Sequence, residues 1–494
     1  MNKIKILASQ TAIYGLSSVV GRVVNFLLVP LYTATFLSGE YGKVVILYSY
    51  VAIFNIIYTY GMETAFFRFS PKDKENESFD HTASSVLVTS ILFSGVIYAL
   101  ADILSKSLGF AMEPYIIKWL SIIIFFDAIV AIPFARLRLQ NKAVKFVIIR
   151  LIGILLTILF NIIFLVILPD IMADKYLGVI RPVIRQWYNP EMGIGYIFLA
   201  NLIGSGSVLI LLRKEFYNLK FSFQWSKFKP LLIYAFPIML TGLAGMLNEN
   251  LDKILLPSLI PAGFYDGNSP EAAVGVYGAA FKLSIFMMLA IQAFRYASEP
   301  FFFANADDKN APELFAKVYY YFVILGVIII AVVGFNIDLI GRLFLKRPEY
   351  WEALYLVPLL LTGKLLYGIY INLSVWYKIK DKTKYGTYFS LLGTVVTVGG
   401  NLLLIPVIGY AGSAVTMVLC FLAMCFASYY FGRKYFSVPY DLKTTGMYMI
   451  STLFLVYIFR LFDFNNQTFG EVFAGIISVV FVVVVFIIER RKIN

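Results

Sequence analysis

The chain has 494 residues, 60% of them hydrophobic and 14% charged, with a mean hydropathy of +0.79. A soluble chain of this size carries about 25% charged residues and divides around separate cores, so composition excludes a soluble globular enzyme. The formal net charge of +13 lies almost wholly in short loops between apolar runs, where it sets topology and indicates no nucleic-acid partner.

The apolar runs are near or above the roughly 20 residues needed to cross a hydrocarbon core of about 30 Å. They predict an all-α polytopic membrane protein with fourteen spans. In chain order these run over 6–35, 42–67, 82–106, 115–137, 144–168, 193–212, 230–256, 273–303, 312–336, 351–377, 385–406, 409–431, 444–461 and 471–488. The runs are continuous, not alternating at period two, which excludes a β-barrel. The start, MNKIKILASQTAIYGL, has a basic head and an apolar stretch, but the run continues through Arg22 and Asn25 with no small-residue cleavage site. It reads as an uncleaved first helix.

An even number of spans puts both termini on one side. With the N-terminus inside, the inner loops collect Arg136, Arg138, Lys142 and Lys145, then Arg213 to Lys229, Lys378 to Lys384, Arg433 to Lys443 and Arg490 to Lys492. That is about 26 Lys and Arg inside against about 10 outside, a strong positive-inside bias. The longest outer loop, about Pro169 to Met192, has room for an amphipathic turn but no folded domain. His81 reads as a solvated loop residue, and Cys420 and Cys425 fall in one apolar run that implies neither disulfide nor metal site.

The chain repeats itself. Tyr41, Gly42, Tyr60, Glu63, Phe66 and Phe67 recur as Tyr277, Gly278, Tyr296, Glu299, Phe302 and Phe303 at a constant shift of roughly 236. Gly153, Thr157 and Asn161 recur as Gly393, Thr397 and Asn401, and Arg138 and Lys142 as Lys378 and Lys382, at a shift of about 240. The spans therefore divide into a first lobe, 1–222, a second lobe, 223–436, and two extra helices, 437–494, which carry little internal charge and suit a peripheral position facing lipid. Duplicated bundles with a site between the halves are a transporter architecture.

No P-loop is present, since Gly42-Lys43 and Gly363-Lys364 are followed by apolar residues, and one histidine cannot make a paired-His zinc site. The candidate chemistry lies in ionisable residues inside spans, which are costly in hydrocarbon and should face a cavity or a partner. Arg22 sits on a polar stripe with Thr11, Ser18 and Asn25. The seventh span carries Thr241, Asn248, Glu249 and Asp252 in similar fashion. Ser18, Asn25 and Asn248 are expected to line the cavity. For Arg22, Lys282 and Lys364 the sequence offers no obvious carboxylate at helical spacing, and they are the leading cavity cations, joined by Arg295. Arg295 with Glu299, and Glu249 with Lys253, are i,i+4 neighbours that would also neutralise one another. Arg150 lies near enough to the inner surface to snorkel. Glu63, Asp127, Glu249, Asp252 and Glu299 read either as ion-coupling groups, for a proton or sodium ion, or as structural ion pairs. A cationic cavity implies an anionic passenger, because Arg offers a planar fork to phosphate and Lys a point charge. A sugar linked to a polyprenyl pyrophosphate is one such anion.

The segment LYTATFLSGEYGKVVILYSYVAIFNIIYTYGMETAFFRF, with Leu31, Tyr32, Glu40, Tyr41, Gly42, Gly61 and Arg68, resembles the first two helices of the polysaccharide biosynthesis, or Wzx-type oligosaccharide flippase, family. NLDKILLPSLI followed by VGVYGAAFKLS, with Asp252, Gly275, Tyr277 and Lys282, is similar to the family's seventh and eighth helices. The family belongs to the multidrug/oligosaccharidyl-lipid/polysaccharide exporter superfamily. The resemblance implies two six-helix lobes forming a V that opens alternately to either side. It also implies a bacterial inner-membrane carrier, both termini cytoplasmic, that flips undecaprenyl-pyrophosphate-linked glycan units outward for O-antigen, capsule or exopolysaccharide assembly. Its partners would be the lipid-linked oligosaccharide, membrane lipids and the polysaccharide polymerase and chain-length machinery. Arg22 and Lys282 would then hold the pyrophosphate. No cofactor is expected beyond a coupling proton or sodium ion. Three rivals stand beside this reading. A lipid II flippase shares the fold and the cationic cavity. A multidrug antiporter would want carboxylates to hold cationic drugs. A membrane polymerase or ligase would need a large outer loop with catalytic polar residues.

Overall fold

The computed structural model describes residues 19–70, 75–108, 113–217, 219–222, 224–265, 269–462 and 466–493. The described chain is helical, with no strand among the described residues. The long apolar elements are α1 (Val19–Thr35), α2 (Ser38–Phe69), α3 (Glu75–Ala99), α4 (Pro114–Leu139), α5 (Ala143–Met172), α6 (Gly195–Leu211) and α7 (Trp225–Leu259). They continue with α8, in two limbs (Pro270–Lys282 and Ile285–Ala304), α9 (Ala311–Phe335), α10 (Pro348–Ile379), α11 (Lys384–Ile408), α12 (Tyr410–Tyr435), α13 (Leu442–Phe459) and α14 (Gln467–Arg491). Among the described residues eleven are long and apolar enough to cross a membrane, twelve with the two limbs of α8 taken as one span. The shorter apolar helices α1 and α6 fall within the first and sixth expected spans, the start of the first, 6–18, lying outside the described residues, so the count of fourteen spans is not established. The protein is a multi-pass helical membrane protein.

Several helices are broken where backbone chemistry demands it. In α2, Tyr60 and Gly61 take positive φ, 32° and 75°. A Cβ on Gly61 would stand 2.7 Å from the Ala235 carbonyl oxygen, so only glycine fits that approach. Helix α5 widens into a π-turn over Ile163–Ile167 just before Pro169, whose ring and missing N–H would otherwise clash with the preceding turn. The limbs of α8 are bent by 45°. Leu283 and Ser284 there donate to Ala280 and Phe281, three residues back, and tighten the turn without glycine or proline.

Packing divides the chain into two units. The first comprises 1–28 and 47–246, the second 29–46 and 247–494, so that α2 and α7 each contribute to both. In the first unit α6 lies along α5 and α4, and α3 along α4. In the second, α11 pairs with α12, α12 with α10, and α13 and α14 pack on α9. The start of α2 meets the first limb of α8 at backbone distance. A Cβ on Gly42 would fall 1.8 Å from the Glu271 carbonyl oxygen, and one on Gly275 1.9 Å from that of Ser38.

The internal repeat is visible as repeated geometry. Asn161 Nδ2 donates to the Thr157 carbonyl at 2.8 Å, and Asn401 Nδ2 to that of Thr397 at 2.7 Å, with both asparagines buried. The basic turns match too. Asn141 and Asp381 have φ of 59° and 53°, and the N–H groups of Lys142 and Lys382 reach back to the Leu137 and Tyr377 carbonyls.

Two local expectations are corrected. Several helices begin or end a few residues beyond the expected spans, α3 at Glu75 instead of 82, because interfacial polar turns continue the helix. His81 therefore lies inside α3 and not in a solvated loop. It is buried, with Nδ1 3.1 Å from the Ser222 carbonyl oxygen.

Candidate functional site

Helix geometry places Glu249, Asp252 and Lys253, at spacings of three and four, on one side of α7. Tyr277 and Phe281, four apart on the first limb of α8, and Lys364 on α10 complete a charge cluster within the second unit. Lys364 Nζ donates to Glu249 Oε1 at 2.6 Å. Lys253 Nζ bonds Asp252 Oδ1 at 3.0 Å and the Glu249 carbonyl at 2.7 Å. The second oxygen of Asp252 accepts from the Tyr277 hydroxyl at 2.7 Å. Phe281 presents its ring to both ammonium groups, 3.7 Å from Lys253 Nζ and 4.7 Å from Lys364 Nζ.

Asp252, Lys253 and Lys364 are buried, whereas the Glu249 side chain keeps 27% of its surface. Charges this far from water persist only when paired and hydrogen-bonded. Two cations and two anions make the cluster neutral in sum, and the aromatic face adds attraction to both ammoniums. The partner expected for Glu249 on its own helix, Lys253, thus serves Asp252, and Glu249 takes Lys364 from another helix.

Other expected residues are dispersed. Arg22 is exposed on α1, and among the described residues no carboxylate pairs with it. Asn25 is exposed on the same helix, while Ser18 and Thr11 lie outside the described residues. Lys282 is exposed at the end of the first limb of α8, one residue beyond Phe281. Arg295 faces Glu299 at 3.8 Å, and Glu299 accepts a closer bond from Lys378 at 2.6 Å. Glu63 pairs with Arg138. Arg150 is exposed near the ring of Phe146.

Asn248 does not line open space. It is buried, its Nδ2 donating to the Ser390 carbonyl at 3.2 Å and its Oδ1 accepting from Thr394 at 3.0 Å, which ties α7 to α11. In the first unit, Asp127 Oδ1 accepts from Ser205 at 2.8 Å, and Asn201 donates to the Tyr48 hydroxyl at 2.8 Å. Sequence reasoning missed Tyr277, Phe281, Ser205 and Asn201 as polar or aromatic partners. The i,i+4 spacing of Asn201 and Ser205 around Gly204 was the available signal. Among the described residues no group of three or more His, Cys, Asp or Glu forms a metal-binding set.

The family described as polysaccharide biosynthesis protein matches residues 7–305. The chain belongs to that family. A second family, MatE, matches residues 264–403. No curated protein sequence matches the chain. Among solved structures, the lipid II flippase MurJ in an inward closed conformation is similar at a TM-score of 0.74 and 14% identity, over 97% of this chain and 98% of that one. An inward-facing multidrug resistance MATE transporter of the MOP superfamily is similar at 0.62 and 16%, over 84% and 94%. A MOP superfamily transporter from Pyrococcus furiosus, described by a reversed polarity of its binding pocket that suggests a different function, is similar at 0.58 and 16%, over 88% and 98%. At these identities the likeness establishes a shared fold.

Proposed function

We propose that this member of the polysaccharide biosynthesis family is a flippase that moves an undecaprenyl-pyrophosphate-linked oligosaccharide across the bacterial inner membrane, for O-antigen, capsule or exopolysaccharide assembly. The observation that carries this reading is the family match over residues 7–305, on a chain with the fold of a known lipid flippase. The placement of charge supports it. Glu63, Glu249, Asp252 and Glu299 each face a cation already, which leaves them poorly suited to hold a cationic drug. Arg22 and Lys282, each exposed on its own helix, are the cations assigned to meet the pyrophosphate during transport. Their fork and point-charge geometries suit phosphate oxygens. No cofactor is needed, and a coupling proton or sodium ion, together with polymerase and chain-length partners, belongs to the same proposal.

The test is complementation of a strain lacking its own glycan flippase, with Arg22→Ala and Lys282→Ala at matched expression. Restored surface polysaccharide that both substitutions abolish supports the carrier and its cations. Restoration that survives both removes the assignment of these residues. A second reading, lipid II transport, is favoured by the 0.74 match to MurJ. Rescue of a strain depleted of its lipid II flippase would move the substrate to the peptidoglycan precursor.

A further inference from the structure

Away from the α7 charge cluster, the end of α9, the short helix Ile337–Phe344, the end of α13 and the start of α14 line a half-open cavity of about 320 Å³. This lies in the size range of small-ligand pockets. Its polar lining is unusual for the margin of a membrane bundle. Arg342 is paired with Glu471, and Arg460 stands 3.4 Å from Asp338. Gln467 Nε2 also donates to Glu471, at 3.1 Å. Phe335 and Phe459 form apolar wall.

Two guanidiniums and two carboxylates make the cavity neutral in sum. A purely anionic ligand would meet the carboxylates at a cost, and a purely cationic one the guanidiniums. A zwitterion is accommodated by both. The Arg460–Asp338 pair is the looser of the two, and Asp338 keeps 61% of its side chain exposed, so Asp338 can turn to a cationic group while Arg460, 22% exposed, takes an anionic one in its place. Around the cavity Leu339, Leu461, Phe462 and Phe469 are exposed. These apolar side chains offer a surface on which hydrocarbon chains can lie.

The geometry points to a bound phospholipid whose headgroup carries a phosphate and a primary amine, its phosphate on Arg460 and its ammonium on Asp338. The guanidinium fork fits phosphate oxygens, and a primary ammonium supplies N–H donors to a carboxylate that a quaternary ammonium lacks. The acyl chains would lie along the exposed apolar residues beside the cavity. With the orientation that the basic loops predict, the lipid belongs to the outer leaflet.

The test is native mass spectrometry of the purified full-length protein in detergent, challenged with equal amounts of phosphatidylethanolamine, phosphatidylglycerol and phosphatidylcholine. Retention of phosphatidylethanolamine should exceed that of the other two by about tenfold or more, as expected for one extra hydrogen bond to a charged group. Asp338→Asn should reduce phosphatidylethanolamine to the level of phosphatidylglycerol, while Arg460→Gln should lower both. Asp338 is exposed enough that its amide variant folds, which the thermal midpoint of the same sample checks. Equal retention of the three lipids, or a preference that survives Asp338→Asn, overturns the site. Free phosphoethanolamine binding as tightly as the lipid would overturn the lipid as its source.

Discussion

Glu299 and Lys378 form an ion pair at 2.6 Å, and the residues that the internal repeat sets against them, Glu63 and Arg138, form the same pair in the other unit. In each case a carboxylate from the end of the repeated apolar segment meets a cation at the start of the repeated basic turn. A chance resemblance of apolar runs would not reproduce a contact between segments nearly 80 residues apart. The repeat is therefore one of structure as well as sequence.

The paired geometry predicts charge-swap behaviour. Both members of the Glu299–Lys378 pair are partly exposed, so the pair contributes at most about 1 kcal/mol. Lys378→Glu places two carboxylates together and should lower the thermal midpoint. Glu299→Lys combined with Lys378→Glu should recover most of the loss, measured by thermal unfolding in detergent. No recovery would mean that Arg295, 3.8 Å from Glu299, holds the carboxylate in place instead.

Lys364 should be far less tolerant. It is buried and its partner Glu249 is mostly enclosed, so Lys364→Ala leaves a carboxylate without its cation, at a cost of about 3 kcal/mol or more. Lys364→Met with Glu249→Gln removes both charges and should return stability towards wild type. If the double variant also loses transport in the complementation assay while folding normally, the charges themselves are needed for the transport cycle.

The approach of α2 to the first limb of α8 makes a steric prediction. A methyl group at Gly42 would collide with the backbone carbonyl of Glu271, which no side-chain rotation can relieve. Gly42→Ala should therefore cost about 1–3 kcal/mol or force the helices apart. Gly95→Ala is the matched control, since a Cβ there meets nothing within 4 Å. Equal thermal midpoints for the two variants would show that the helices separate without cost.

Much of this architecture was legible in the sequence, because a span announces itself by length and apolar content alone. The matching helices, the basic turns and the asparagine of each repeat lie where residue identities placed them. The pairing of Glu249 with Lys364 was not legible, since it depends on which faces of α7 and α10 meet, a property of packing and not of either helix. Sequence spacing joined Glu249 to Lys253, which the structure gives to Asp252. Asn248 read as a cavity residue for the same reason: a polar residue in a span needs a partner, and here α11 supplies one. The bend in α8 carries no glycine or proline to announce it.

The predicted orientation can be mapped with single cysteines, because the native thiols are out of reach. Cys420 and Cys425 are buried, and Cys425 donates to the Leu366 carbonyl. The folded protein should therefore give no signal with a membrane-impermeant maleimide. On that silent background, Lys175→Cys, in the exposed turn after α5, should react in intact cells. Lys142→Cys and Lys384→Cys, exposed at the starts of α5 and α11, should react only after the cells are opened. This pattern follows from basic loops being retained on the inner side. The two inner positions come from the two copies of the repeat, so they must respond alike. Labelling of Lys142→Cys from outside and Lys175→Cys only from within would invert the topology, and would move the Arg460–Asp338 cavity to the inner leaflet with it.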